Sequence, residues 1–261
     1  MPHRNPIWPI RHAWLGSLVL ALLAGLAPGV AFAADPPSLR VMTYNIHHGE
    51  GTDGRFDLER LAKIIRTADP DLVALQEVDR RTRRAGGVDQ AAELARLTGL
   101  ELAFGRSIEL EGGEYGNAIL ARVEPTEVQV HPLPSPEPGE PRTALAAKCT
   151  FPDGRTSIFV VTHLCHLSAK NRAAQTAKLT ELFGPSKLPV ILAGDLNALP
   201  DSAPVARLEG WTNPLEDART IDYVLFRTQD RWRSRSARKL AEPVASDHDP
   251  VVVELAWPEQ P

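Results

Sequence analysis

Nine polar residues stand where an apolar run stops or a turn begins: Asn45, Glu77, Asn117, His163, Asp195, Asn197, Asp222, Asp247 and His248. Carboxylates and amides are hard oxygen donors, suited to Mg2+ or Mn2+ rather than to structural zinc. Histidines beside acids can hold a phosphate or move a proton. Together these residue types suit metal-assisted hydrolysis of a phosphoester. The clearest case is residues 189–197, an apolar run that stops at Gly194-Asp195-Leu196-Asn197. A strand has period two, so Asp195 and Asn197 project from one side just where the run leaves a core.

Such groups need elements that deliver them. Residues 38–46, 71–77, 118–121, 142–151, 156–164, 189–195, 220–226 and 251–255 read as strands. Residues 56–67 repeat apolar positions with a helical period, counting Phe56 on the apolar face. Helices are also expected over 89–97, stopped by Gly99, and over 168–183, capped by Ser168. The first strand, helix and second strand form a crossover unit. Residues 131–141 carry five prolines and read as an extended surface loop. With Asp153 and Gly154 as a two-residue hairpin turn, Ala144 faces His163 and Arg142 faces Cys165. Arg142 and His163 are then diagonal neighbours on one face. In that register Cys149 lies near Ile158, seven residues along from Cys165, too far for a disulfide.

The 261 residues, 43% hydrophobic and 24% charged, suit a domain with a sizeable core and exclude global disorder. Arg4 and Arg11 precede an apolar block over 13–30, followed by Ala31-Phe32-Ala33. That is the layout of an export signal over residues 1–33, with cleavage after Ala33. The alternative is an uncleaved N-terminal anchor helix. No cysteine follows the block to carry a lipid, and no other run is long enough to cross a bilayer. The mature chain is expected in the periplasm or secreted, without a stable membrane anchor, and as a monomer. Cleavage removes two arginines and no acid, taking the formal net charge from −4 to −6. Bulk charge therefore does not hold the protein on a polyanion.

Seven segments occur in a set order: Arg40-x-Met42-Thr43-Tyr44-Asn45, Leu75-Gln76-Glu77, residues 115–120 (Tyr-Gly-Asn-Ala-Ile-Leu), Val161-Thr162-His163-Leu164, Gly194-Asp195-Leu196-Asn197, Ile221-Asp222-Tyr223 and Ser246-Asp247-His248. In this the chain resembles the endonuclease/exonuclease/phosphatase superfamily, from about residue 39 to 257. The resemblance implies an α/β four-layer sandwich, two mixed β-sheets packed face to face with helices on both outer faces. It also implies roles. Glu77 would be the main Mg2+ ligand, with Asn45 and Asp247 nearby, and Mn2+ as a substitute. Asp195 would orient and deprotonate the attacking water. Asn197 and His163 would hold phosphate oxygens, and His248, paired with Asp222, would steady the developing charge. Asn117 and Arg142 would be auxiliary phosphate contacts. The implied substrate is a phosphoester: nucleic acid first, otherwise a small phosphorylated sugar or inositol, or a lipid head group. A non-catalytic phosphate-binding protein is the reading from another class.

The chain departs from the family pattern in three places. His47 stands where some members carry an acid, which bears on metal number and preference. Only 24 residues separate Asn197 from Asp222, a short connection for substrate recognition. His163-Leu164-Cys165-His166 could be a small zinc cluster, or Cys165 and His166 could be incidental. Two arginine groups, 80–84 and 227–239, could line the approach to the site and favour a polyanionic substrate. Arg231, Arg233 and Arg235 alternate and would share a face of a strand. The competing reading is a charged edge strand protected from aggregation.

Overall fold

A computed structural model of the chain describes residues 1–3, 37–206, 208–215 and 219–258. The chain divides into two compact units, Met1–Asp35 and Pro36–Pro261, and every strand and helix among the described residues belongs to the second. Apart from residues 1–3, the expected export segment and its cleavage point lie outside the described residues.

Twelve strands form two six-stranded sheets among the described residues. In the first sheet are β1 (Ser38–Asn45), β2 (Leu72–Arg80), β3 (Glu101–Leu110), β4 (Gly113–Ala121), β11 (Arg233–Lys239) and β12 (Val251–Ala256). The second holds β5 (Thr126–Pro132), β6 (Thr143–Thr150), β7 (Thr156–His163), β8 (Val190–Asp195), β9 (Trp211–Thr212) and β10 (Asp222–Arg227). Their orders are β11-β12-β1-β2-β4-β3 and β5-β6-β7-β8-β10-β9. Each sheet is mixed around one parallel pair, β1 with β2 and β7 with β8; the other pairings are antiparallel. Each parallel pair is joined by a helix, α1 (Leu58–Ala68) or α3 (Ala169–Phe183), the crossover that parallel strands require. A further helix, α2 (Gln90–Thr98), lies between β2 and β3 in sequence.

Alternation along the strands sorts side chains into layers. Leu39 and Val41 of β1, Leu72 and Ala74 of β2, Ile191 and Ala193 of β8, and Val224 and Phe226 of β10 join one core between the sheets. The intervening Met42, Tyr44, Val73 and Leu75 pack with Leu61 and Ile65 of α1 and Leu94 of α2. Val190, Leu192, Tyr223 and Leu225 pack with Leu179 and Phe183 of α3. The result is helix, sheet, sheet, helix, as the resemblance implied. Each large apolar side chain withdrawn from water contributes about 1.5–3 kcal/mol.

The helices end where local chemistry dictates. Asp57, Asp89 and Ser168 cap α1, α2 and α3, each side-chain oxygen accepting a backbone N–H three residues on. Phe56 lies before the Asp57 cap and is half exposed, so it is not part of the buried face of α1.

The hairpin register differs from the expected one by a single residue. Thr150 pairs with Thr156 and Ala144 with Thr162. Phe151 N–H donates to Arg155 O and Gly154 N–H to Phe151 O, each at 2.8 Å, with Gly154 at φ 83°. The loop thus has three residues, the last left-handed, in place of a two-residue turn. Cys149 and Cys165 are both buried and unbonded to each other.

The two arginine groups are largely committed elsewhere. Arg80 pairs with Asp89 and Glu114, and Arg84 holds Asp79 with two hydrogen bonds of 2.6 and 2.8 Å. Arg227 is buried, donating to the carbonyls of Phe183, Gly184, Ser186 and Leu188 and to Asp230. Arg231 precedes β11 with φ 58°, and a register shift falls between Ser234 and Ser236, so the expected three-arginine face does not form. β11 is an edge strand, where charge discourages pairing with another chain.

Candidate active site

The inward faces of the strands carry the polar groups to one end of the inter-sheet core. On β1 the series Leu39, Val41, Thr43 continues to Asn45. On β8 Ile191 and Ala193 lead to Asp195, and Asp222 begins the inward series of β10. Asn45 Nδ2 donates across the sheets to Asp195 Oδ2 at 3.2 Å. Asp222 stands directly opposite Asp195 on the antiparallel neighbour, and His163 directly beside it on the parallel one. Gly194 is needed there: a Cβ would lie 1.9 Å from Thr162 O on β7.

Glu77 arrives by a different device. Strict alternation would put it with Val73 and Leu75 on the helix side. Between Leu75 and Val78 the pairing with β4 shifts register, and Glu77 takes φ 57°. A bulge of this kind re-aims a side chain, and Glu77 Oε1 accepts from Asn45 Nδ2 at 3.0 Å. Left-handed backbone is costly for such a residue and clusters at functional positions. Asn197 is also left-handed, at φ 48°; its N–H donates to Asp195 Oδ1 at 2.7 Å and its Nδ2 to Leu164 O at 3.1 Å. The turn before β12 is tied down by Ser246, whose Oγ donates to Asn45 O at 2.8 Å and accepts from His248 N–H at 3.2 Å.

Asp195 is the hub. Its Oδ2 lies 3.5 Å from His163 Nε2 and 3.7 Å from His248 Nε2. Burial, then the facing Asp222 carboxylate, raise Asp195 to about 7, although His248 opposes this. Burial raises Asp222 as well. Burial disfavours the charge on His248, but the 2.9 Å hydrogen bond from Nδ1 to Asp222 Oδ2 and the surrounding carboxylates outweigh it, raising His248 to about 9. His163 is pushed the other way, well below its ordinary value, by burial and by the adjacent Arg142. Near neutral pH the arrangement holds a carboxylate poised to take a proton, a charged imidazole and a neutral one.

A cleft of about 380 Å³ opens over these groups, lined by Glu77, Arg142, His163, Asp195, Asn197, Asp247 and His248 among the expected residues. Asn45 and Asp222 sit behind the wall, hydrogen-bonded to lining side chains. Asn117 does not line the cleft: it is buried, and its Nδ2 donates to Thr143 O at 3.2 Å, tying β4 to β6. Five further polar or aromatic residues also line it: His47, Arg84, Tyr115, Glu140 and His166. His47, Arg84 and His166 carried a signal in the sequence, and Tyr115 opens one of the seven segments. Glu140 lies in the proline-rich loop, where nothing marks it.

The donor set around the cleft fits a hard divalent cation. Glu77 and Asp247 offer carboxylate oxygens on its wall. Asn45 presents its amide nitrogen to Glu77 because its Oδ1 accepts from His47 N–H at 3.1 Å. It therefore orients Glu77; acting as an oxygen ligand would mean turning the amide and giving up that contact. His47 Nδ1 lies 3.0 Å from the Glu50 carbonyl, which only accepts, so Nδ1 carries a proton and Nε2 is the ring nitrogen left to face the cleft. Among the described residues one group brings three acid or histidine ligand atoms within 4.8 Å of one another, Asp195, Asp222 and His248. The short His248–Asp222 hydrogen bond occupies it, so we read it as a proton-handling triad. His163, Cys165 and His166 do not converge. The Nδ1 atoms of both histidines face Arg142, and Asn171 Nδ2 lies 3.7 Å from Cys165 Sγ. No zinc cluster forms there.

Residues 42–248 match the model of the Endonuclease/Exonuclease/phosphatase family. The chain is 31% identical over 170 residues to protein YbhP of Escherichia coli (strain K12), covering 61% of this chain and 67% of that one. Among solved structures it resembles an endonuclease/exonuclease/phosphatase from Beutenbergia cavernae DSM 12333, with a TM-score of 0.73 and 25% identity over 84% of this chain and 72% of that one. The human Nocturnin catalytic domain, solved with a bound sulfate anion, shares the fold with a TM-score of 0.68 and 22% identity over 86% and 96% of the two chains. The two mixed sheets, the polar groups at their common end and the family match over most of the chain agree: this protein belongs to the endonuclease/exonuclease/phosphatase family.

Proposed function

We propose that the protein is a divalent-metal-dependent phosphoester hydrolase that attacks phosphorus with water activated by Asp195. One observation carries this reading. Asp195 sits beside two imidazoles and an amide in the lining of a cleft, with Asp222 directly opposite. A carboxylate raised to about 7 is half ready at neutral pH to accept a proton from water. Asn45 and the Asn197 N–H fix its orientation. His248, kept charged by Asp222, faces the cleft and would offset the negative charge that builds on the phosphoryl oxygens. His163 would donate a neutral hydrogen bond to the same oxygens. Mg2+ or Mn2+ held by Glu77 and Asp247, with Asn45 orienting Glu77, would supply further positive charge at the phosphoryl group.

The substrate supported best is a small phosphorylated molecule rather than nucleic acid. The cleft is compact, and of the two arginine groups only Arg84 lines it, with its guanidinium already on Asp79. A polyanion track would need unpaired cations along the approach. The sequence also supports export, with cleavage after Ala33, and action as a monomer in the periplasm or outside the cell. Purified mature protein, assayed with Mg2+ or Mn2+ on sugar phosphates, inositol phosphates, nucleotides, DNA, RNA and phospholipids, tests both parts. Turnover of small esters above nucleic acid supports the substrate class. No turnover of any member with either metal would leave the non-catalytic binding protein.

A further inference from the structure

Arg142 begins as a surprise of register. In the observed pairing it would face Leu164, not Cys165, and His163 would face Thr143. It precedes β6, however, and its side chain is free of the strand's alternation. It is nearly inaccessible to solvent, at 4%. Its Nη1 lies 3.0 Å from His163 Nδ1, its Nη2 3.2 Å from His166 Nδ1, and Nη1 also 3.0 Å from Glu140 Oε1.

A guanidinium has five N–H donors and no acceptor, and does not lose its proton. A ring nitrogen facing it must therefore accept. That fixes both imidazoles with a bare Nδ1 and the proton on Nε2. For His163 the Nε2–H is then the ring's remaining donor, with Asp195 Oδ2 3.5 Å from Nε2 and the cleft beside it. For His166, the Nε2–H is the ring's remaining donor, and that ring lines the cleft.

We propose that Arg142 is a positioning residue rather than a phosphate ligand: it locks His163 and His166 as a pair of Nε2–H donors, and His166 thereby becomes a second imidazole contact for an oxygen of the substrate. The fork geometry suits this role, because two imidazoles held by one planar group keep a fixed spacing. Glu140 Oε1 lies beside the same Nη1 that faces His163 and supplies the compensating charge. The groups facing His163 are Arg142, Asp195, His248 and His166; burial first, and then Arg142, oppose protonation, so His163 stays a neutral donor. The substrate contact rests on the hydrolase reading above. The clamp itself does not.

Two measurements separate these. Two-bond proton–nitrogen spectra of the mature protein labelled with 15N-histidine report which ring nitrogen is protonated. In their neutral form His163 and His166 are expected to show protonated Nε2 and bare Nδ1. Arg142→Met is expected to release both, so that both rings mix tautomers. A protonated Nδ1 on either wild-type ring in the neutral form overturns the clamp, and needs no variant to fold. Unchanged spectra in a folded Arg142→Met protein overturn it too.

The second measurement is calorimetric binding of inorganic phosphate to the Mg2+-loaded mature protein. His166→Ala is expected to weaken it about fivefold, the loss of one hydrogen bond. An unchanged constant overturns the His166 contact. Failure of the wild type to bind phosphate counts against both that contact and the hydrolase reading, while the spectra decide the clamp independently.

Discussion

Asp195 and Asp222 face each other across adjacent antiparallel strands at the end of the inter-sheet core, and His248 reaches both, 2.9 Å from Asp222 and 3.7 Å from Asp195. Two buried carboxylates cannot both ionise cheaply side by side. Burial and the facing Asp222 carboxylate raise Asp195; the imidazolium partly relieves the repulsion and so opposes that rise. His248 is itself raised, against its own burial, by the Asp222 hydrogen bond and the nearby carboxylates.

The pH profile of turnover should show it. Asp195 must be ionised to accept a proton, and His248 must be charged to meet the phosphoryl oxygens. Activity should rise through about 7 and fall through about 9. Asp222→Asn removes the partner of His248, so the alkaline limb should move to lower pH. A limb that stays in place would detach His248 from the upper side of the profile.

Above about pH 7 the stability of the metal-free protein should fall as pH rises; below that the lowered His163 works against the Asp195 contribution. Asp195 and His248 both have folded values above their ordinary ones, 3.8 and 6.5. A group raised on folding stabilises fully below its unfolded value, and that stability is lost as pH climbs through the folded one. The loss should run from about 4 to 7 for Asp195 and from about 6.5 to 9 for His248. Urea midpoints of the metal-free mature protein across this range check the sign. A midpoint that rises through the upper window would contradict the raised His248.

Glu77→Ala should weaken Mg2+ binding by more than about 100-fold, beyond the loss typical of an outer-sphere partner. Calorimetric titration of the metal without substrate reads it directly. An unaltered isotherm would move the cation away from Glu77.

Gly194→Ala should cost about 1–3 kcal/mol or more, since its Cβ would sit 1.9 Å from Thr162 O, inside the β7–β8 pair. A thermal midpoint equal to the wild type would mean that the two strands separate more easily than their packing implies.

Much of this site was legible in the sequence because period two carries a strand's inward face to its last residue. Asn45 and Asp195 follow Val41 and Ala193 by that rule, and Asp222 stands two residues before Val224 at the start of its own strand. The cap Ser168 marked its helix in the same local way, whereas Asp57 and Asp89 cap helices that were expected from residues 56 and 89 by periodicity and a glycine stop. β3 and β5 stayed hidden because edge strands bury little: residues 126–132 of β5 are exposed but for one half-buried position, so no apolar alternation records them. The hairpin slipped by one residue because Asp-Gly fits a two-residue or a three-residue loop, and the choice is made by the strands. Glu77 was found by type, but its bulge was not legible, since a left-handed Glu leaves no mark in composition. The contacts of Arg142 with His166 and Glu140 depend on loop paths, which no periodicity encodes.

The most direct test of the central claim compares wild type and Asp195→Asn in the same metal-loaded state. Phosphoester turnover and Mg2+ binding are measured side by side on purified mature protein. The arrangement around Asp195 predicts a fall in kcat of about a thousandfold with the metal isotherm little changed. Turnover within a few-fold of wild type would contradict it, because the proton would then leave the attacking water by another route.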